Sequence, residues 1–178
     1  MPGVLLALVA AACGNGDDSA GDGAGDRPAS QESEGLAEAA GDLPTDELEL
    51  ADGTTATFAD LLDGRPLVVN YFASWCPSCR AEMPDLAAVH ADVGDRVGFL
   101  GVALQDTRDD AAELVEITGV RYPWALDPTG EMLATLGGFA MPTTFYVSAD
   151  GEIVGQDNGA IDGADLRGRL DDLFGVTA

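Results

Sequence analysis

The sequence predicts an α/β sandwich: a central mixed β-sheet with helices on both faces and an inserted αβ element. Three observations predict it. Leu67–Phe72 is an almost unbroken apolar run rich in β-branched and aromatic residues, as a strand covered on both faces must be. Around it, stretches of strand character alternate with stretches whose apolar residues recur at helical spacing. The chain closes with two strands joined by a turn and one amphipathic helix. The resulting order is βαβ, an inserted αβα piece, then ββα.

The folded part begins near Leu43. Residues 47–50 and 54–57 bracket Ala51-Asp52-Gly53, a hairpin-like turn signal. Thr57 is placed to cap a short helix holding Phe58, Leu61 and Leu62, which Gly64 ends. After the central strand, Met83, Leu86, Val89 and Val93 fall at helical spacing, and Pro84 within that helix is expected to kink it. Residues 97–104 read as a second buried strand. Residues 107–118 read as a helix with Ala111, Leu114, Val115 and Thr118 on one face and Gly119 as its stop. Residues 122–126 have the character of a short strand. Asp127-Pro128 then resembles a cap followed by proline at the first helical position, with Met132, Leu133 and Leu136 turned inward. Residues 143–148 and 152–156 flank Ala149-Asp150-Gly151, a hairpin signal. Asp162 caps a last helix with the stripe Leu166, Leu170, Leu173 and Phe174.

Residues 1–13 read as an address. Residues 4–12 form an apolar run far below the ~20 residues of a spanning helix. The run ends Ala10-Ala11-Ala12-Cys13 before Gly14 and polar sequence. It resembles the h-region of a secretory signal, and Cys13 resembles the cysteine of a bacterial lipobox, which is lipidated. Met1-Pro2-Gly3 carries no basic residue and Ala10 stands where Leu is usual, so both depart from that pattern. The alternative is a chance apolar start on a cytosolic protein. Residues 14–42 are mostly Gly, Asp, Ser, Ala and Glu and cannot bury enough surface to offset their ordering entropy. They read as a flexible acidic tether between a lipid anchor and the domain of residues 43–178.

The 178 residues leave room for one ordinary domain plus this extra sequence, and 46% hydrophobic content is enough for a packed core. A net charge of −24 argues against nucleic acid and anionic membrane surfaces as partners. The charge is read first as solubility, with steering of a basic substrate as the functional alternative.

The chemistry-bearing stretch is Trp75-Cys76-Pro77-Ser78-Cys79-Arg80, directly after the central strand and before a helix. Strand, Cys-x-x-Cys, helix is the setting in which this spacing marks a redox pair. Both sulfurs fit on the first turn of one helix, and the first lies among unpaired N–H groups at the positive end of the macrodipole. That environment favours the thiolate, the attacking species. Pro77 suits a first turn, where its missing donor costs nothing. Cys76 is therefore read as nucleophile and Cys79 as resolving thiol. A structural zinc site needs about four N/S ligands; the chain has three Cys and one His. Haem attachment wants His where Arg80 stands. A purely structural disulfide at this spacing closes almost no loop. His90 reads as a half-buried helix residue rather than a ligand or base. Gln105-Asp106, after the second strand, falls where the mouth of the site is expected.

Residues 43–174 resemble the thioredoxin superfamily, most closely its exported TlpA/ResA-like (redoxin) branch. The motifs that carry the resemblance are Val69-Asn70-Tyr71-Phe72-Ala73-Ser74-Trp75-Cys76-Pro77-Ser78-Cys79-Arg80-Ala81-Glu82-Met83-Pro84 and Gly138-Phe139-Ala140-Met141-Pro142-Thr143-Thr144-Phe145. The resemblance implies a thioredoxin-like fold and a cis proline at Pro142 beside the cysteines, where proline makes that conformation inexpensive. It implies that Met141 offers backbone groups to an extended substrate peptide and that Trp75 flanks the pair. Asn70 stands where cytosolic relatives carry a titrating Asp. Glu82 matches a Glu that tunes the thiol pair in this branch; an ordinary first-turn helix Glu is the equal alternative.

The expected reaction is thiol–disulfide exchange without metal or organic cofactor. The expected partners are thiols and disulfides of exported proteins and a membrane thiol–disulfide electron donor or acceptor. The resemblance implies reduction of disulfides in exported proteins such as apocytochrome c. An oxidising, disulfide-forming role uses the same atoms in reverse and stays open. Two rivals come from other classes. A peroxiredoxin-like peroxidase wants Thr and Pro before its cysteine in a pattern that Ser74-Trp75 does not supply. A copper-delivery module wants a distant His, and none follows His90.

Overall fold

The computed structural model describes residues 43–177. The signal-like segment ending at Cys13 and the tether of residues 14–42 lie outside the described residues. In chain order the elements are β1 (Leu48–Leu50), β2 (Thr55–Ala56), α1 (Phe58–Leu61), β3 (Leu67–Phe72), α2 (Pro77–Val93) and β4 (Gly98–Leu104). There follow α3 (Arg108–Thr118), β5 (Trp124–Asp127), α4 (Glu131–Thr135), β6 (Thr143–Val147), β7 (Ile153–Asn158) and α5 (Gly163–Phe174).

The strands form one mixed sheet in the order β2-β1-β5-β4-β3-β6-β7. β3, β4 and β5 run parallel, whereas β6 pairs antiparallel with β3 and β7 with β6. All six residues of β3 are buried. Strand alternation sends Val68 and Phe72 into the layer with Met83 and Leu86 of α2, Leu114 of α3, and Leu166 and Leu170 of α5. Leu67, Val69 and Tyr71 point the other way, into the layer with Phe58 of α1 and Leu133 of α4. Each such large side chain contributes about 1.5–3 kcal/mol on burial, so the two filled layers fix the register of β3. Asn70 falls on the α2 side. The inserted piece between β4 and β6 is α3, β5 and α4, as the sequence order anticipated.

Helix starts follow the capping residues read from sequence. Thr57 forms a capping box with Asp60, Thr107 accepts from the Asp110 amide, and Asp162 accepts from the amides of Ala164 and Asp165. α2 runs unbroken through Pro84, which leaves only the solvent-facing turn at Arg80 without its usual amide donor.

Two expectations need correction. The strand expected from residue 122 begins at Trp124, because Pro123 has no N–H to give; its carbonyl instead accepts from Gly101 N at 3.0 Å. Asp127 is not the cap of α4. It is the last residue of β5, and α4 starts after Gly130, which adopts a left-handed φ of 79°. The Asp127 carboxylate still serves the helix start from the strand, accepting from Gly130 N at 2.8 Å and Leu133 N at 3.0 Å. Asp127 is 4% exposed. Asp127→Ala therefore strands the buried Leu133 amide and the half-buried Gly130 amide, and urea unfolding is expected to show a loss of about 1–3 kcal/mol.

Candidate active site

Because β3 and β4 are parallel and β6 antiparallel, the ends of β3, β4 and β7 and the start of β6 share one edge of the sheet. Four loops emerge there: residues 73–76, the Gln105-Asp106 corner, the approach to Pro142, and the turn through Ile161. The carboxyl edge of parallel strands is where open α/β sheets place their chemistry.

Cys76 is the N-cap of α2, with extended φ and ψ of −100° and 106°, and Pro77 follows in the first turn. Its sulfur accepts from Cys79 N at 3.2 Å, so the helix terminus itself stabilises charge there. Cys76 and Cys79 are joined by a disulfide with Cα atoms 5.3 Å apart. Cys76 is 4% exposed and Cys79 fully buried, so the first sulfur is the outer one. Ser78 Oγ lies 3.4 Å from Cys76 Sγ. Trp75 stands over this turn, 55% exposed, its indole N–H donating to Gln105 O at 3.4 Å. The Met141–Pro142 bond is cis. Pro142 is buried next to Thr143, which pairs with Tyr71 near the end of β3, and Met141 is half-buried against both apolar layers. Every site residue singled out in the domain thus lies on this edge or on the first turns of α2. Cys13 lies outside the described residues.

Glu82 is buried and lies in the second turn of α2 rather than the first. One carboxylate oxygen accepts from Asn70 Nδ2 at 2.8 Å and the other from Ile161 N at 3.0 Å. Asn70 also donates to Thr144 Oγ1, its cross-strand partner on β6, at 3.1 Å. Burial pushes the Glu82 carboxyl up to about 7, against the pull of the Asn70 and Ile161 hydrogen bonds. The Tyr122 phenol is held far above its usual range by burial and by the Glu82 charge. His90 packs edge-on between Phe99 and Tyr122, with ring centroids 5.2 Å from each, and burial lowers its pKa. That is a packing role. Among the described residues no group of three or more His, Cys, Asp or Glu is placed to hold a metal ion. No helix among them is long and apolar enough to cross a membrane.

Sequence reasoning placed Gln105-Asp106 near the site but gave neither a role. Asp106 accepts from Ser74 N at 2.6 Å, Ser74 Oγ at 2.8 Å and Thr107 N at 2.9 Å. Phe139, 80% exposed on the loop leading to Met141, was also missed as a surface feature. Only its place two residues before Met141 pointed to it.

Residues 39–170 match the family described as Redoxin. The chain belongs to the redoxin family. Among its relatives, the thiol:disulfide interchange protein DsbE of Allochromatium vinosum is 36% identical over 115 residues, covering 64% of this redoxin and 62% of that protein. The thiol-disulfide oxidoreductase ResA of Oceanobacillus iheyensis is 29% identical over 126 residues, covering 70% and 65% respectively. This redoxin thus spans a little under two thirds of the length of both. A solved structure of a secreted Mycobacterium tuberculosis disulfide oxidoreductase homologous to Escherichia coli DsbE superposes with a TM-score of 0.64 at 26% identity. That match covers 72% of this chain and 96% of the other.

The Glu82 proton has a stability consequence. Between pH 4.5 and about 7 the folded redoxin holds a proton that the unfolded chain has released. Stability from this group is therefore full below that window and falls as pH rises through it. Asp52, Asp60 and Asp63, whose hydrogen bonds lower their pKa below 3.8, act in the opposite sense at lower pH. Calorimetric Tm is expected to fall across the upper window in the wild type and to stay flatter in Glu82→Gln.

Proposed function

We propose that this chain is an extracytoplasmic thiol–disulfide oxidoreductase that reduces disulfides in exported proteins, apocytochrome c among them. The observation that carries the reading is the Cys76–Cys79 pair at the N-terminus of α2, with the Cys79 amide directed at Cys76 Sγ. Relatives named as thiol:disulfide interchange proteins support the reaction class, and a secreted structural relative supports the compartment. In that compartment the chain is anchored through lipidated Cys13, with residues 14–42 as spacer.

In the reaction, the Cys76 thiolate attacks one sulfur of a client disulfide and expels the other client sulfur as thiolate. The mixed disulfide is resolved when the Cys79 thiolate attacks Cys76 Sγ, releasing the second client thiolate. Two electrons pass to the client, and the chain is left as the Cys76–Cys79 disulfide. A membrane dithiol then recharges it by the reverse steps. Glu82, on the buried face of α2 with Cys79 and titrating near neutrality, is suited to exchange the Cys79 proton. Trp75 and the backbone at Met141 and Pro142 offer the client its contact surface.

The deciding measurement is the reduction potential of the pair in a Cys13→Ser chain, equilibrated in graded thiol/disulfide buffers. A value at or below about −270 mV is expected for a reductant. A value near about −120 mV would reverse the direction and make the protein a disulfide-forming oxidant. Cys79→Ser is expected to accumulate mixed disulfides with client protein on non-reducing gels. Cys76→Ser is expected to trap none and to lose reductase turnover at least about a hundredfold, since the attacking thiolate is gone.

A further inference from the structure

We infer that Asp106 is a positioning residue for Cys76, acting through Ser74 to hold the turn that delivers the nucleophile to the N-terminus of α2. The inference rests on the proposed role of Cys76 as the attacking sulfur.

Only residues 73–76 separate the end of β3 from the start of α2. Within that turn one backbone hydrogen bond closes, from Cys76 N to Ala73 O at 3.1 Å. Its other restraints come from outside. One Asp106 oxygen takes the Ser74 amide at 2.6 Å, and the other takes the Ser74 hydroxyl at 2.8 Å. The oxygen that takes the hydroxyl also accepts from Thr107 N at 2.9 Å, where α3 begins. The preceding residue, Gln105, sits at a left-handed φ of 46°, uncommon for a residue with a side chain. In that conformation its carbonyl meets the Trp75 indole N–H, while its side-chain Nε2 donates to Thr129 O at 3.0 Å. One two-residue corner thus grips both residues immediately before Cys76. Pro77 restricts the chain on the other side. The sulfur stays where the Cys79 amide reaches it at 3.2 Å.

A carboxylate near a thiolate also acts by charge, and the two effects have opposite signs. Removing the negative charge favours the Cys76 thiolate. Removing the restraint lets the turn relax, weakens the amide contact and disfavours the thiolate. Asp106→Asn removes the charge and keeps both contacts to Ser74, its oxygen accepting from the Ser74 amide and its NH2 donating to the Ser74 hydroxyl oxygen, at the cost of the Thr107 N contact, whose acceptor oxygen the NH2 replaces. Asp106→Ala removes both charge and restraint.

The test uses the full chain, reduced, with alkylation by iodoacetamide at Cys76 followed by mass spectrometry of its peptide across pH. Acrylamide quenching of Trp75 is measured in parallel; Trp124 is 9% exposed and contributes little to it. Asp106→Ala is expected to slow alkylation at neutral pH roughly three- to tenfold, the effect of losing one or two hydrogen bonds. It is also expected to make Trp75 more readily quenched. Asp106→Asn is expected to alkylate at the wild-type rate or faster, with unchanged quenching. Faster alkylation in Asp106→Ala would mean charge alone and overturn the inference. Equal slowing in both variants, or unchanged alkylation and quenching in Asp106→Ala, would overturn it as well. If wild-type Cys76 reacts no faster than an unactivated thiol, the nucleophile assignment fails instead, and the quenching comparison still decides whether the corner holds the turn.

Discussion

A polar side chain in the middle of a strand covered on both faces must find partners inside the protein. Asn70 is that side chain, and its Nδ2 donates to Glu82 from α2 and to Thr144 from β6. Glu82 in turn takes the backbone amide of Ile161, just before α5. One buried cluster therefore joins β3, α2, β6 and the approach to α5, the segments that surround the cysteine pair. The apolar layers set how these elements pack, while this cluster sets how they are aligned along the strand direction. Moving α2 by a single turn would take the Glu82 carboxylate away from both Asn70 and the Ile161 amide, leaving Asn70 with Thr144 alone.

The same cluster separates two electrostatic environments within two turns of one helix. At the outer end, Cys76 faces backbone dipoles that favour negative charge. On the inner face, Glu82 sits in surroundings that disfavour it and hold its carboxyl near neutrality. A dithiol must lose two protons and two electrons to close its disulfide. A site with one sulfur poised to carry charge and a buried carboxyl able to change charge suits that exchange. No acidic residue lies in the first turn of α2; the carboxylate that reaches the Cys76 turn, Asp106, comes from the corner after β4.

Much of this was legible in the sequence. β3 was readable because six consecutive buried positions admit few alternatives, and the caps at Thr57, Thr107 and Asp162 because their side chains bond to nearby amides. The cysteine pair was readable from its spacing and setting. What could not be read depends on partners distant in sequence. Asp106 looks like one more acidic residue in a chain with 32 of them, and only the fold brings it to Ser74. Asp127 misled for a related reason: an Asp-Pro pair resembles a cap, but here the carboxylate reaches forward from the strand to a helix that starts later. The burial of Glu82 was hidden because helical spacing places it beside the apolar stripe without saying which residue covers it.

The two outermost strands differ in kind from the five between them. β2 is two residues long, and β7 ends in polar Asp157 and Asn158 after a register shift opposite Tyr146 and Val147. A long, flat, apolar outer strand invites a neighbouring chain to add its own backbone, the first step toward fibrous aggregates. Here one border is too short and the other too irregular and polar to serve as a template. Among the described residues, neither border of the sheet thus lets a partly unfolded neighbour add a strand of its own.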